Sequence, residues 1–155
     1  ILLPILLNNS CAGKRLLDIG TGAGFPGLVL AAVMPELQVT LMEPRQKRVI
    51  FLRHIVRTLK LDNVQILDQR LEPNEDMPEI AAPFSFITSR ALAAPAVFLP
   101  MVEQIAKEDT LVLLMQSERG PREEHAGWQE IGHHSLSLPF SGHSRLITLM
   151  RRAGV

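Results

Sequence analysis

The sequence predicts a doubly wound α/β fold: a mostly parallel sheet with helices on both faces, finished at one edge by an antiparallel hairpin. Three observations carry this reading. Short apolar runs alternate with segments of helical periodicity. The first run leads through a glycine-rich loop into a helix. The last two runs are joined by a turn too short to hold a crossover helix, so they must pair antiparallel.

Residues 15–20, Arg-Leu-Leu-Asp-Ile-Gly, are a short apolar run ending in glycine and read as the first buried strand. Residues 26–34 read as a helix, with Pro26 in the first turn, where a missing N–H costs nothing, and Pro35 as its stop. A second strand follows over 38–43. In 45–60, Val49, Leu52, Ile55, Val56 and Leu59 recur at helical spacing, while Lys47, Arg48, Arg53, Arg57 and Lys60 fall mostly elsewhere on the wheel. Strands are expected at 64–68, 84–88 and 110–115, with a helix over 95–106. Their near-continuous apolar character suits a parallel sheet covered on both faces. The closing strands, 134–138 and 145–150, flank a turn at 139–143. Trp128 is expected to pack over that edge, and Met101, Met115 and Met150 read as core.

The chain has 155 residues, which suits a single domain spanning 1–155 with a sizeable core. Hydrophobic residues make up 46% and charged residues 21%, the balance of a globular chain rather than a disordered one. Apolar stretches are far shorter than a membrane span requires, and no membrane partner is expected. The opening residues 1–7 are apolar but interrupted by Pro4 and lack a basic region, unlike a signal peptide. The single cysteine, Cys11, fits a reducing, cytoplasmic compartment. Sixteen basic and sixteen acidic residues leave no net charge, which argues against nucleic-acid binding through a large overall positive field while permitting a local basic patch. One tryptophan, six phenylalanines and no tyrosine give a single-strand stacking platform little to work with. His125, His133, His134 and His143 have no carboxylate or cysteine at ligand spacing, so no metal site is expected.

The segment richest in chemistry is Asp18-Ile-Gly20-Thr-Gly22-Ala-Gly24-Phe25-Pro-Gly27, between the first strand and the first long helix. Glycines there let the backbone turn sharply and approach a ligand. Glu43 ends the next strand, where an acidic residue can accept hydrogen bonds from both hydroxyls of a ribose. Gly22 to Gly27 also satisfies G-x-G-x-x-G, with Glu43 at the distance expected of a dinucleotide site, so the pattern alone does not separate NAD from S-adenosylmethionine. Two features favour the methyl donor. Asp18 precedes the first glycine, where a carboxylate could hold the donor's cationic methionine end directly or through water, although it could instead cap the loop's amides. The terminal hairpin is the second, since dinucleotide folds normally continue with parallel units. Glu43 could alternatively be a solvated strand end, and Phe25, bulky and following Gly24, is expected to pack.

Residues 17–28, Lys47-Arg48 leading into Phe51-Leu-Arg-His54, and Thr88-Ser-Arg-Ala91 resemble the GidB family, also called RsmG, of 16S ribosomal RNA guanine-N7 methyltransferases. The likeness runs from about residue 1 to 150 and is strongest over 16–92. Gly-Phe-Pro-Gly after the loop, with Ser-Arg-Ala after the fourth strand, is more specific than any glycine pattern. The resemblance implies a Rossmann-like, seven-stranded class I methyltransferase sheet with a C-terminal antiparallel hairpin. It implies S-adenosyl-L-methionine as cofactor and 16S ribosomal RNA, or the small ribosomal subunit, as partner. It also implies donor contacts from positions matching Gly20 and Phe25, from Leu71 and Glu72 near the adenine, and from Arg90, with Glu43 at the ribose.

Two departures accompany it. The family usually carries an N-terminal helical region, of which residues 1–7 look like only the last part. Many members have lysine and glycine after the fifth strand, where this chain has Gln116 and Ser117. The implied chemistry is an in-line displacement at a methyl group, in which alignment can carry much of the catalysis. Guanine N7 has a free lone pair and no proton, so no general base is required, and the sequence offers no evident catalytic dyad. Arg90, at the carboxyl edge of the sheet, is the candidate for positioning donor or RNA, against the alternative of a salt bridge to a neighbouring carboxylate. Lys47, Arg48, Arg53 and Arg57 are candidates for an RNA-facing patch, against the alternative of a solvated helix face.

Overall fold

The computed structural model describes residues 2–8, 13–72, 80, 83–90, 93–117, 125–138 and 140–153. In chain order its elements are α1 (Leu2–Asn8), β1 (Arg15–Ile19), α2 (Gly27–Val33), β2 (Gln38–Met42), α3 (Gln46–Leu59), β3 (Val64–Leu67), β4 (Phe86–Arg90), α4 (Pro95–Val102), β5 (Leu111–Gln116), β6 (Trp128–Ser137) and β7 (Ser144–Arg152). All seven strands form one sheet in the order β3-β2-β1-β4-β5-β7-β6. The first five run parallel, and β7 is antiparallel to both β5 and β6. The chain winds outward through β2 and β3 from one side of β1, then through β4 and β5 from the other. The crevice at the carboxyl ends of β1 and β4 is therefore the switch point at which open α/β sheets bind ligands.

Alternation along each strand divides the apolar side chains between two layers. One face carries Leu16, Val39, Leu41, Phe86, Leu111 and Leu113, covered by Leu2, Ile5 and Leu6 of α1, by Leu28, Leu30 and Ala31 of α2, and by Leu52 of α3. The other carries Leu17, Ile19, Met42, Ile87, Val112 and Leu114, covered by Phe98, Leu99 and Val102 of α4, with Leu71 and Phe84 in the same cluster. Burying a side chain of this size contributes about 1.5–3 kcal/mol before ordering entropy is counted.

Several boundaries differ from the sequence-based expectation. The fourth strand starts at Phe86 rather than Phe84, whose ring is buried and lies 4.5 Å beneath the Arg15 guanidinium. The helix expected over 95–106 ends at Val102, and Ala106 N–H instead returns to the Val102 carbonyl in a closing turn. Leu59, expected on the apolar stripe of α3, is exposed, because the stripe turns toward solvent in the last turn. Trp128 packs at the sheet edge as expected, but as the first residue of β6, buried among the residues of the α4 layer. Strand β6 thus begins six residues earlier than its apolar character suggested. Its register against β7 shifts between Glu130 and Gly132, which leaves Ile131 as an extra residue in a β-bulge. Cys11, Ala91 and Pro139, the first residue of the hairpin turn, lie outside the described residues.

Asn63 fastens α2 to the sheet. Its buried side-chain amide lies 3.0, 3.2 and 2.9 Å from the carbonyls of Ala31, Met34 and Leu37, in the last turn of α2 and the turn that follows it. Asn63→Ala should deprive the Ala31 and Leu37 carbonyls of this donor and lower stability by about 1–3 kcal/mol in urea denaturation at unchanged m-value. A loss under about 0.5 kcal/mol would show that water replaces the amide.

Candidate functional site

The loop after β1 is built around a carboxylate. Asp18 faces the α2 layer and is fully buried. Its Oδ2 accepts hydrogen bonds from the Thr21 hydroxyl at 2.6 Å and from the Gly27 amide at 2.9 Å, so it closes the loop and supplies an acceptor to the first turn of α2. A Cβ at position 27 would stand 2.5 Å from Leu41 Cδ2 and 2.8 Å from Asp18 Oδ2, which only glycine avoids. Gly20, Gly22 and Gly24 have φ of 67°, 66° and 91°, the left-handed turns that carry the chain from strand to helix. The Gly20 and Thr21 amides both donate to the Met42 carbonyl, which ties the loop to the end of β2.

A second carboxylate supports the loop from the side. Glu43, just past β2, is buried. Its Oε2 accepts from the Gly22 amide at 3.0 Å, and its Oε1 accepts from the Arg45 amide at 3.0 Å. Arg48 of α3 adds a guanidinium at 3.5 Å from Oε2. Each carboxylate oxygen has two lone pairs, so Gly22 and Arg48 fill Oε2 while Oε1 keeps room for a further donor. Glu43 is accordingly a fixed acceptor, not a solvated strand end.

Across the switch point, Arg90 is the exposed last residue of β4. A Cβ on Gly22 would stand 4.0 Å from Arg90 Nη2 and 3.6 Å from Arg48 Nη1, so two guanidiniums flank the open side of the loop. Among the described residues no carboxylate pairs with Arg90 within 4 Å, although its field reaches Asp18. Two buried polar atoms at this edge have no hydrogen-bond partner among the described residues: Asp18 Oδ1 and Ser89 Oγ. Burial pushes the Asp18 carboxyl up from 3.8 to about 6, against the opposing pull of Thr21, Gly27 and Arg90.

The remaining expected positions lie around this centre. Leu71 is buried in the cluster that holds Ile19 and Met42, under the ends of β1 and β2. Glu72 is half-exposed; its carbonyl accepts from Gln104 Nε2 at 3.2 Å and its carboxylate lies 4.0 Å from Arg70. Phe25 does not pack into the core: the residue is 52% exposed, and the space beside Gly24 is taken by Leu28 and Leu52 instead. Of the candidate basic patch, Lys47, Arg48, Arg53 and Arg57 are all exposed, with Arg53 paired to Asp68 at 3.3 Å and Arg48 turned toward Glu43. Gln116 accepts from the Thr148 hydroxyl at 3.1 Å, and Ser117 is exposed. His133 and His134 lie on the edge strand, His133 beside Glu130 at 3.1 Å. Among the described residues there is no cluster of three metal-ligating side chains and no helix long and apolar enough to cross a membrane. Sequence reasoning missed Thr21, although a hydroxyl three residues after an aspartate is a recognisable loop-closing spacing. It also missed Arg48 as the partner of Glu43.

A glycine loop at the switch point, an acidic residue at the next strand end and an antiparallel β7 beside β5 together define a Rossmann-like domain of the class I methyltransferase type. Solved structures agree. A putative methyltransferase of Escherichia coli superposes with a TM-score of 0.70 at 18% identity, over 99% of this chain and 85% of that one. A SAM-dependent methyltransferase of Aquifex aeolicus gives 0.66 at 20% identity, over 96% and 88%. The family model described as rRNA small subunit methyltransferase G, GidB, matches residues 3–145, and the chain belongs to that family. The ribosomal RNA small subunit methyltransferase G of Desulfotalea psychrophila is 44% identical over 163 aligned positions, covering 97% of this chain and 70% of that protein. That of Methylobacillus flagellatus is 42% identical over 109 positions, covering 70% of this chain and 51% of that protein. The chain thus spans only about half the length of the latter.

The position of Asp18 makes stability depend on pH. Its folded value lies above its unfolded one, so between about pH 4 and 6 the native state holds the extra proton, and stability falls as pH rises through that window. Measured against Asp18→Asn, the ligand-free wild type should lose melting temperature progressively from pH 4 to 7. A difference that stays flat, or grows in favour of wild type with rising pH, would refute the assignment.

Proposed function

We propose that this chain transfers the methyl group of S-adenosylmethionine to N7 of a guanine in 16S ribosomal RNA, acting on that RNA or on the small ribosomal subunit in the cytoplasm. Membership of the rRNA small subunit methyltransferase G family supports the substrate class. The observation that supports the cofactor is the glycine loop held between two buried carboxylates, Asp18 and Glu43, with its open side facing Arg90.

The residues fit such a donor. The unpartnered Asp18 Oδ1 offers an acceptor to an ammonium group. The lone pair left on Glu43 Oε1 suits a ribose hydroxyl; a hydrogen bond to a charged group contributes about 1.5–3 kcal/mol. Gly22, where a Cβ would meet nothing closer than 3.6 Å, leaves the backbone open to close approach, while Leu71, Glu72 and the half-exposed Phe25 would border the adenosine. Arg90 supplies a cation for the donor's carboxylate or an RNA phosphate. When bound, the donor supplies a methyl group on a sulfonium, an electrophile that guanine N7 can attack with its own lone pair. The protein's task is then alignment and exclusion of water rather than proton transfer. Lys47, Arg53 and Arg57 on the exposed face of α3 would guide RNA phosphates.

Calorimetric titration with S-adenosylhomocysteine, alongside NAD, tests the cofactor. Saturable binding of the first alone, lost in Glu43→Ala, is expected; binding of NAD alone would overturn the reading. Arg90→Ala should fold with an unchanged melting temperature and lose at least about 10-fold in methyl transfer to small-subunit RNA, the effect of removing one charge-assisted contact. Full activity in that variant would remove Arg90 from the site.

A further inference from the structure

Glu43 is 2% exposed, and three donors address its charge: the amides of Gly22 and Arg45 and the guanidinium of Arg48. The two amides are fixed by the fold. Arg48, whose side chain is 47% exposed, is the one side-chain cation within 4 Å of this carboxylate among the described residues. An ionised carboxylate removed from water is costly unless it is paired and hydrogen-bonded. Oε2 is the atom shared by Gly22 and Arg48, at 3.0 and 3.5 Å, so guanidinium, carboxylate and loop amide form a single chain of contacts. The same guanidinium borders the open side of Gly22, with Nη1 3.6 Å from where a Cβ would stand. Sequence alone groups Arg48 with Lys47, Arg53 and Arg57 as a helix face for RNA; the structure turns it toward the loop.

We infer that Arg48 is a positioning residue for the donor: through Glu43 it holds the carboxylate and the Gly22 amide in the arrangement that receives the adenosine ribose. The inference rests on the functional reading above. It places the first turn of α3 in the cofactor machinery, and it makes the affinity for any adenosine-bearing ligand depend on Arg48 only while Glu43 carries its charge.

A double-mutant cycle tests it, using Arg48→Ala, Arg48→Lys, Glu43→Gln and the Arg48→Ala/Glu43→Gln double variant. The readouts are calorimetric S-adenosylhomocysteine binding and steady-state methylation of small-subunit RNA. Arg48→Ala should weaken S-adenosylhomocysteine about 10-fold and raise KM for the donor by a similar factor, with kcat and KM for RNA within about twofold. Arg48→Lys should recover most of the loss, because a cation within reach of Glu43 is what matters. In the Glu43→Gln background, Arg48→Ala should change affinity by less than about twofold, because the two side chains act as one unit. Unchanged S-adenosylhomocysteine affinity in Arg48→Ala, or effects that simply multiply in the double variant, would overturn the role. A raised KM for RNA with donor affinity intact would make Arg48 an RNA contact and overturn it equally. Should Arg48→Ala fail to fold, Arg48→Gln, which keeps the stem and removes the charge, carries the same comparison. Wild-type chain that binds no S-adenosylhomocysteine would instead overturn the functional reading, and this inference with it.

Discussion

The carboxyl edge of the sheet depends on one buried group, the Asp18 carboxylate. It lies inside the turn that it closes, bonded to Thr21 on the outgoing limb and to the Gly27 amide where α2 begins. That geometry dictates much around it. Position 27 has no room for a Cβ, α2 must start directly against β1, and the three preceding glycines must take up left-handed turns. The arrangement has an electrostatic cost, since one carboxylate oxygen is buried without a donor among the described residues. Retaining such a group at the switch point is the pattern of a site whose polar inventory is completed by something other than the protein.

Glu43 complements Asp18 from the neighbouring strand. Asp18 works from beneath the loop and holds its covalent path. Glu43 works from beside it, bonds the amide at the apex, and reaches α3 through Arg45 and Arg48. The loop is consequently fixed from three elements, β1, β2 and α3, while beside Gly22 the nearest atoms among the described residues, outside the loop itself, are the guanidiniums of Arg48 and Arg90. A rigid floor and an open side are what alignment chemistry requires, because misplacement of the reacting atoms by even about 1 Å can cost on the order of 100-fold in rate.

Much of this was legible in the sequence, for identifiable reasons. Parallel strands buried on both faces appear as unbroken apolar runs, so β1, β2, β3 and β5 were found within a residue or two. The glycine spacing with Asp18 and Glu43 announced the loop, because backbone conformations that exclude side chains leave a compositional trace. Other features were hidden. The first half of β6, Trp128 to His133, is an edge strand with polar residues and a glycine, so its membership in the sheet follows from β7 beside it rather than from its own pattern. The exposure of Phe25 and the direction of Arg48 are also tertiary outcomes. Leu28 and Leu52 reach the space beside Gly24 first, and the guanidinium is drawn to a carboxylate five residues earlier in the chain. Helical spacing specifies which face a residue occupies but not which neighbour it meets.

The β-bulge at Ile131 has a consequence for how the edge of the molecule is finished. Before it, Trp128 and Glu130 stand opposite Arg152 and Met150; after it, Gly132 and His134 stand opposite Leu149 and Ile147. Met150 belongs to the α4 layer, whereas Leu149 and Ile147 belong to the layer of α1, α2 and α3. The additional residue therefore reverses the parity of the strand after its third residue: the buried indole covers one side, and the residues opposite Leu149 and Ile147 on the other are a glycine and an exposed histidine. The same interruption breaks the regular row of unpaired amides and carbonyls that a straight border would present, which makes it a poor template for a second sheet to extend.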